Sequence, residues 1–222
     1  MKFDKINFKK SIVEITPEIA RIHSHICGDG CVYRTREKRS PGALLKHKRK
    51  NIYKNEHVIE YDNNCKELLE EFKRDVNIAF NRNPSIRKNR IEMKGAKWIV
   101  EKLSLVGKNS HNWYIPKFIT NSSKKVTNSW WRAFFDDEAH VSKTHKRIVL
   151  NIVNKKGLKQ IQDLLKKSGI SSTLRGPYKY KKFQSYHLNI YRDYLKKYAN
   201  LIGFTHPKKR QNLLELASSI KN

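Results

Sequence analysis

The amino-acid sequence predicts an α+β protein built from two related α-β-β-α-β-β-α repeats. Apolar residues follow the 3.6-residue spacing of helices in some segments and alternate as in strands in others, and this order restarts near residue 122. The stretch Arg90-Ile-Glu-Met-Lys-Gly matches His187-Leu-Asn-Ile-Tyr-Arg, and Val58-Ile-Glu-Tyr-Asp-Asn-Asn matches Ile148-Val-Leu-Asn-Ile-Val-Asn. Two repeats are too few for a solenoid. We therefore expect two pseudo-twofold-related halves, residues 1–120 and 121–222, in one compact unit.

The first half opens with clear signals for a helix. Thr16 is a helix-capping residue, Pro17 suits the first helical position, and Glu18 favours the positive end of the helix dipole. Gly28 and Gly30 end this helix. The pattern then predicts strands at 31–36 and 52–61 separated by a basic loop at 37–50, an amphipathic helix at 65–80, a strand-like region at 86–94 and a helix at 96–106.

The second half repeats the same order of elements. A helix is expected to begin at Ser122 or Ser123 and to end near Ala139, with Trp130 and Trp131 on its buried side. The pattern then predicts strands at 140–144 and 147–153, a helix at 158–167, a hairpin at 173–180 and 183–191, and helices at 193–202 and 208–220.

The charge of the chain indicates a polyanionic partner. Its 222 residues include 48 Lys and Arg against 20 Asp and Glu, which gives a formal charge of +28. Such an excess favours nucleic acid over a membrane surface, because arginines and aromatic residues are interleaved with the lysines. No apolar run reaches the roughly 20 residues of a membrane span. The N-terminus lacks the apolar core of a secretory signal, and three cysteines favour free thiols, so an intracellular protein is expected.

Each half ends its first helix with an acid, Asp29 in the first and Glu138 in the second. An acid at a helix C-terminus opposes the helix dipole, so its presence at matched positions asks for a reason. If the two helices pack along the pseudo-twofold axis, both carboxylates meet at its base and need a cation between them. Mg²⁺ suits oxygen ligands and also contacts phosphates, and such a site can hydrolyse phosphodiesters.

These two segments resemble the LAGLIDADG motif, and the chain is similar to the monomeric, two-repeat LAGLIDADG homing endonucleases. In that family the eighth motif residue is the metal-binding acid, which corresponds to Asp29 and Glu138. The resemblance implies that the carbonyls of Gly28 and Asp137 also face Mg²⁺ or Mn²⁺. The motif places small residues at positions three and seven, which Ser24, Gly28 and Ala133 fit, whereas Asp137 departs from the pattern.

The resemblance also implies two four-stranded sheets that form a saddle over double-stranded DNA. The expected target is long and pseudo-palindromic, and the protein would bind it as a monomer and cut both strands. Segment 31–57 has nine Lys and Arg against two acids, and segment 172–187 has four against none. The candidate DNA-binding residues are Arg34, Arg36, Lys38, Lys48, Lys50, Arg87, Lys88, Arg90, Arg147, Arg175, Tyr178, Lys179, Lys181 and Gln184.

Hydrolysis of a phosphodiester also benefits from a positively charged side chain near the scissile phosphate. Lys143 and Lys146 are the candidates in the second repeat, and Lys48 or Lys50 in the first.

Three alternatives remain open from the sequence. The same fold could serve an RNA-binding intron maturase, or a DNA-binding protein that does not cut. His23, His25, Cys27 and Cys31 could also form a zinc site, although Cys31 lies beyond the helix end and no Cys-x-x-Cys is present.

Overall fold

The computed structural model describes residues 14–46, 50–105, 108–180 and 183–220. The first repeat contains α1 (Pro17–Cys27), β1 (Gly30–Lys38), α2 (Pro41–Lys46), β2 (Tyr53–Asp62), α3 (Lys66–Phe80), β3 (Ile86–Arg87), β4 (Arg90–Lys94) and α4 (Lys97–Lys102). After α5 (Lys117–Thr120), the second repeat contains α6 (Lys124–Glu138), β5 (Ala139–Ser142), β6 (Arg147–Ile152), α7 (Lys155–Lys167), β7 (Thr173–Tyr180), β8 (Phe183–Tyr191), a 3-10 turn (Arg192–Tyr194), α8 (Leu195–Leu201) and α9 (Pro207–Ser218).

Two antiparallel four-stranded sheets confirm the predicted fold class. Their strand orders are β1-β2-β4-β3 and β5-β6-β8-β7, so the two repeats share one topology. Gly30, Tyr61 and Ile91 are neighbours across the first sheet. Ala139, Leu150 and Leu188 are neighbours at the same place in the second. This register confirms the match of Ile91 with Leu188. It shifts the other sequence match by one residue, because Ile148 corresponds to Ile59 and not to Val58.

The first helices of the two repeats pack against each other in the centre of the molecule. Thr16 caps α1 by accepting a bond from the Ile19 N–H at 3.4 Å, and residues 19–27 are all buried. Ser24 donates a hydrogen bond of 2.7 Å to the Trp130 carbonyl on α6. A Cβ on Gly28 would lie only 2.8 Å from Oδ2 of Asp137, so the absent side chain of Gly28 makes room for the Asp137 carboxylate.

Each sheet has an inner face that packs on the helices and an outer face on the opposite side. Val32, Ile59 and Ile91 pack on the inner side of the first sheet, as do Leu150 and Leu188 in the second. Because side chains alternate along a strand, the outer faces follow from the register. The outer face of the first sheet consists of residues 31, 33, 35, 37, 54, 56, 58, 60, 62, 87, 90, 92 and 94, and that of the second of residues 140, 142, 147, 149, 151, 173, 175, 178, 185, 187, 189 and 191.

The connection between the repeats is part of the core. Trp113 and Ile115 are buried, and Asn154 donates a hydrogen bond of 2.6 Å to the Trp113 carbonyl. Gln160 accepts a bond of 3.0 Å from the Ile115 N–H. These contacts tie residues 113–115 to α7 of the second repeat.

Several boundaries differ from the sequence prediction. The basic loop at 37–50 contains a short helix, α2, which begins at Pro41. The strand-like region at 86–94 is a hairpin that turns at Lys88, whose φ is 57°. The helix expected at 96–106 ends at Lys102, where Leu103 and Ser104 close its last turn. Among the described residues, no helix is long and apolar enough to cross a membrane.

Candidate active site

The two predicted acids lie where the paired helices end. Asp29 follows Gly28, the C-cap of α1, and Glu138 is the last residue of α6. Desolvation and the charges of Asp29 and Asp137 raise the pKa of Glu138 to about 7. Asp29 is exposed, but desolvation at the bottom of the cleft and the charge of Asp137 raise its pKa to about 6. The structure therefore brings the two carboxylates within electrostatic reach of each other.

A third acid, Asp137, is fixed beneath this pair. Its side chain is fully buried and accepts hydrogen bonds from the Tyr61 hydroxyl at 2.8 Å and from Nδ1 of His25 at 2.9 Å. Nδ2 of Asn63 donates to Asp29 at 2.9 Å and lies 3.3 Å from Oδ1 of Asp137. Asn63 thus orients the Asp29 carboxylate and ties it to the buried acid.

His25 is a buried cation that compensates this charge. Burial lowers the pKa of a histidine, but Asp137 and Glu71 outweigh burial and raise the pKa of His25 to about 10, so its ring is protonated at neutral pH. Glu71 also accepts a bond of 2.7 Å from Arg132 on α6. Burial would raise the pKa of Glu71, but His25, Arg132 and Arg21 hold it at about 2. This buried cluster joins α1 and α3 of the first repeat to α6 of the second.

Lys209, on α9, reaches the same end of α6. Its Nζ donates to the carbonyls of Asp136 at 2.5 Å and of Asp137 at 3.1 Å, where the helix dipole is negative. Its charge also acts on Asp29 and Glu138. It lowers the pKa of both carboxyls, but burial and the neighbouring carboxylates raise that pKa by more. Lys209 is therefore the lysine beside the acids.

Asp136 in turn holds the start of α9. Its carboxylate accepts bonds from the backbone N–H groups of Thr205 at 3.0 Å and His206 at 2.9 Å. Burial is the main cause that raises the pKa of Asp136 to about 6. The acid on α6 and Lys209 on α9 thus form a reciprocal clamp between the two helices.

Several of these groups line an open cleft of about 280 Å³. It is lined by Asp29, Asp62, Asn63, Asn64, Asn89, Asp136, Asp137, His206 and Lys209. Within the described residues, no three His, Cys, Asp or Glu side chains come together as a complete cage for a metal ion. Mg²⁺ uses one or two carboxylates and completes its shell with water and substrate phosphates. The oxygen donors of Asp29 and Glu138 fit that requirement.

Comparison with known proteins gives a match for the second repeat. Residues 125–203 are similar to the LAGLIDADG-like domain. No protein with curated annotation matches the chain.

Several solved structures share the fold of this chain at low sequence identity. The homing endonuclease I-DmoI in complex with DNA and Ca is 16% identical with a TM-score of 0.61, and the match covers 91% of this chain and 99% of that one. The homing endonuclease I-WcaI bound to its DNA recognition sequence is 17% identical with a TM-score of 0.55, covering 90% of this chain and 87% of that one. Full-length DUF199/WhiA from Thermatoga maritima is 11% identical with a TM-score of 0.52, covering 93% and 62%.

Lys143 and Lys146, which were predicted to assist catalysis, lie in the turn between β5 and β6. Nζ of Lys143 lies 2.5 Å from Oε2 of Glu215 on α9, and Lys146 is an exposed turn residue with a φ of 46°. Lys50 is exposed in the loop before β2, and Lys48 lies outside the described residues. The Lys143 ammonium is thus paired with Glu215, and the expectation that Lys143 or Lys146 supplies the cation stays a prediction.

The predicted DNA-binding residues of the first repeat divide between two faces of its sheet. Arg34, Arg36 and Lys38 share the inner side of β1 with Val32, so they do not lie on the outer face. Two contacts agree with this placement: Arg34 donates to His57 at 3.0 Å, and Arg36 covers the Tyr53 ring. The expectation that these three line the saddle was wrong. Arg87 and Arg90 lie on the outer face, and Lys88 is at the turn between them.

The second repeat shows a similar division. Arg147, Arg175 and Tyr178 lie on the outer face, where the Tyr178 ring packs 4.4 Å from that of His187. Lys179 and Gln184 are partners in register on the opposite side of the hairpin. They therefore do not extend the row formed by Arg175 and Tyr178. Lys181 lies outside the described residues.

The alternative zinc site is excluded among the described residues. Nδ1 of His23 accepts a hydrogen bond of 3.0 Å from the indole N–H of Trp130 and lies 3.6 Å from Sγ of Cys27. His25 is paired with Asp137. Burial lowers the pKa of His23 to about 3 and raises that of the Cys27 thiol, so both side chains are neutral parts of the core.

Four residues of the site were not predicted from the sequence: His25 as a cation, Tyr61, Asn63 and Lys209. Lys209 lies in the stretch Pro207-Lys-Lys, whose match with Pro116-Lys117 was visible in the sequence. No comparable signal marked Asn63, because an asparagine after a strand is also common in turns.

Proposed function

We propose that the protein is a site-specific DNA endonuclease that cuts both strands by metal-dependent hydrolysis. The observation that carries the proposal is the position of Asp29 and Glu138 at the ends of the paired helices, where the charge of Asp29 contributes to the raised pKa of Glu138. A fold without such chemistry gains nothing from placing acids at the negative ends of two helices. The formal charge of +28 supports a nucleic-acid substrate.

Asp29 and Glu138 would hold the divalent cation, Mg²⁺ or Mn²⁺, between the repeats. Such an ion activates water for attack on the phosphodiester and stabilises the leaving oxygen. Asn63 keeps the Asp29 carboxylate turned toward the cleft through its bond of 2.9 Å. The buried charge of Asp137 helps to raise the pKa of both acids, which strengthens them as ligands but also increases competition from protons.

Lys209 supplies positive charge on the protein side of the cleft. Its three carbonyl bonds fix its ammonium at the end of α6. At this position it offsets the negative field of the acids when the phosphate backbone approaches. The predicted metal contact of the Asp137 carbonyl would be shared with Lys209, since that carbonyl already accepts its ammonium at 3.1 Å.

The test is cleavage of a randomised duplex library with Mg²⁺, comparing wild type with Asp29→Asn and Glu138→Gln. Asp163→Asn serves as a control, because Asp163 is an exposed acid on α7 that pairs with Lys159 one turn away. We expect wild type and the control to cut a narrow set of sequences, and the two site variants to bind those sequences without cutting them.

Two results would overturn the proposal. Equal cutting by wild type and both site variants would remove the acids from the mechanism. Absence of cutting by folded wild-type protein in both Mg²⁺ and Mn²⁺ would refute the nuclease. Specific duplex binding would then identify a non-cutting DNA-binding protein, and preference for structured RNA would identify the maturase.

A further inference from the structure

The outer faces of the two sheets carry different charges. The outer face of the first sheet holds five acids, Glu37, Glu56, Glu60, Asp62 and Glu92, with four cations, Lys54, Arg87, Arg90 and Lys94. The described outer face of the second sheet holds Arg147 and Arg175 and no acid. Despite the net charge of the chain, the first half of the proposed DNA surface is therefore close to neutral.

The register shows that these acids are a property of the first repeat and not of the fold. Because Tyr61 corresponds to Leu150, the neighbouring Glu60 corresponds to Val149 and Asp62 to Asn151. Because Ile91 corresponds to Leu188, Glu92 corresponds to Asn189. At three equivalent positions, an acid in the first sheet thus becomes a neutral residue in the second.

Two cations hold four of these acids in fixed positions. Nζ of Lys94 lies 2.6 Å from Oε1 of Glu37 and 3.8 Å from Oε1 of Glu92. Arg90 binds Asp62 at 2.7 Å and Glu60 at 3.2 Å. The side chains of Glu37 and Glu92 are 47% and 37% exposed. A carboxylate has acceptor capacity on both oxygens, so pairing through Oε1 leaves acceptor capacity on the second oxygen.

A carboxylate on a DNA-binding surface is repelled by phosphates, but it can accept a hydrogen bond from a base. In the major groove, glutamate accepts from the amino group of cytosine, whereas the N7 and O6 acceptors of guanine repel it. Arginine has the opposite preference, because it donates to N7 and O6 of guanine. Lys94 reduces the repulsion by keeping the two glutamates paired.

We propose that Glu37 and Glu92, held by Lys94, read the half-site of the first repeat and select cytosine there, whereas Arg147 and Arg175 read the other half-site and select guanine. This inference rests on the proposed DNA-binding function. We expect the two half-sites to be read through different groups of their G·C pairs, the cytosine amino group in one and guanine N7 and O6 in the other, because the two outer faces are not chemically equivalent.

The experiment is binding selection from a randomised duplex library in Ca²⁺, with sequencing of the bound fraction. Wild type is compared with Glu37→Gln, Glu92→Gln and the control Glu101→Gln, whose carboxylate is exposed on α4 outside both sheets. Glutamine keeps the shape of glutamate but pairs with adenine. We expect each sheet variant to change its preference from cytosine to adenine at one or two positions of one half-site, by about 5- to 150-fold.

The other half-site and the control variant should keep the wild-type preference, and Arg175→Gln should alter only the second half-site. The inference would be overturned if the wild-type target had no cytosine preference in the half-site of the first repeat, or if both glutamate variants kept the wild-type base preference. Either result would leave the DNA-binding function intact. Failure of folded wild-type protein to enrich any duplex would refute both. Selection measures binding, so loss of cleavage does not affect the result.

Discussion

Replacing Glu138 with glutamine should stabilise the folded protein while removing its proposed activity. In the folded state, burial and the charges of Asp29 and Asp137 raise the pKa of Glu138 from 4.5 to about 7. Between these two pH values the folded protein holds a proton that the unfolded chain has released. Wild-type stability therefore falls as the pH rises from about 4.5 to about 7, and the loss is complete above that range. Glutamine carries no charge and avoids this loss.

The magnitude follows from the same difference in pKa. A rise from 4.5 to about 7 corresponds to at most about 3 kcal/mol of destabilisation at high pH. Glu138 retains contact with solvent, which screens part of this effect, so about 1–2 kcal/mol is the expected gain. For a chain of this size the gain raises the melting temperature by about 2–8 °C.

The assay is urea and thermal unfolding of wild type and Glu138→Gln from pH 4 to pH 8.5 in a chelator. The advantage of the variant should be absent near pH 4, grow between pH 5 and 7 and stay constant above. Glu101→Gln, on exposed α4, should show no such pH-dependent gain. A variant that is no more stable than wild type at pH 8, or whose gain does not depend on pH, would refute the reasoning. Mg²⁺ should stabilise wild type more than the variant.

Three further predictions concern the packing and the charge of the molecule. Gly28→Ala should lower the free energy of unfolding by about 1–3 kcal/mol, because its Cβ would lie 2.8 Å from Asp137. Urea unfolding should show a smaller loss when the same substitution is made in the Asp137→Gly variant, and equal losses in both backgrounds would contradict the clash. Lys209→Met should lower the free energy of unfolding by about 1–2 kcal/mol, because it loses the hydrogen bonds to the carbonyls at the end of α6. Lys208→Met, at the exposed neighbouring position, should have little effect, and equal losses in the two variants would show that these bonds do not stabilise the end of α6. A plot of the logarithm of the binding constant for the selected duplex against the logarithm of the salt concentration should have a slope steeper than about −5, as six or more phosphate contacts require. A slope near −2 in a fluorescence titration would contradict a DNA surface that extends over both repeats.

The buried charges explain how the family motif tolerates its unusual residues. Asp137 stands where a small residue is expected, yet the absence of a side chain at Gly28 and the charge of His25 accommodate it. Removing one member of such a cluster leaves the others uncompensated, which is costly inside a protein. The cluster therefore fixes the relative position of α1 and α6, and with it the separation of the two acids proposed to be catalytic.

The sequence by itself determined the repeat, most helices and the two acids. Helix signals such as Thr16-Pro17 act locally, so the ends of α1 were predictable, and a period of about 100 residues is visible without coordinates. The same holds for the positive charge, which depends on composition alone. Asp29 and Glu138 were found because they occupy matched positions next to these local signals.

Only the tertiary structure decided which side chains share a surface. The C-terminal half of β1 is polar at every position from Arg34 to Lys38. No alternation of apolar and polar residues in the sequence therefore marked which of these side chains lie on the outer face of the sheet. The register with β2 settled it and placed Glu37, not Arg36, on the outer face. The contact of Lys209 with the carbonyl of Asp137 likewise joins residues that are distant along the chain. Such contacts follow from the packing of α9 on α6, which local sequence preferences do not encode.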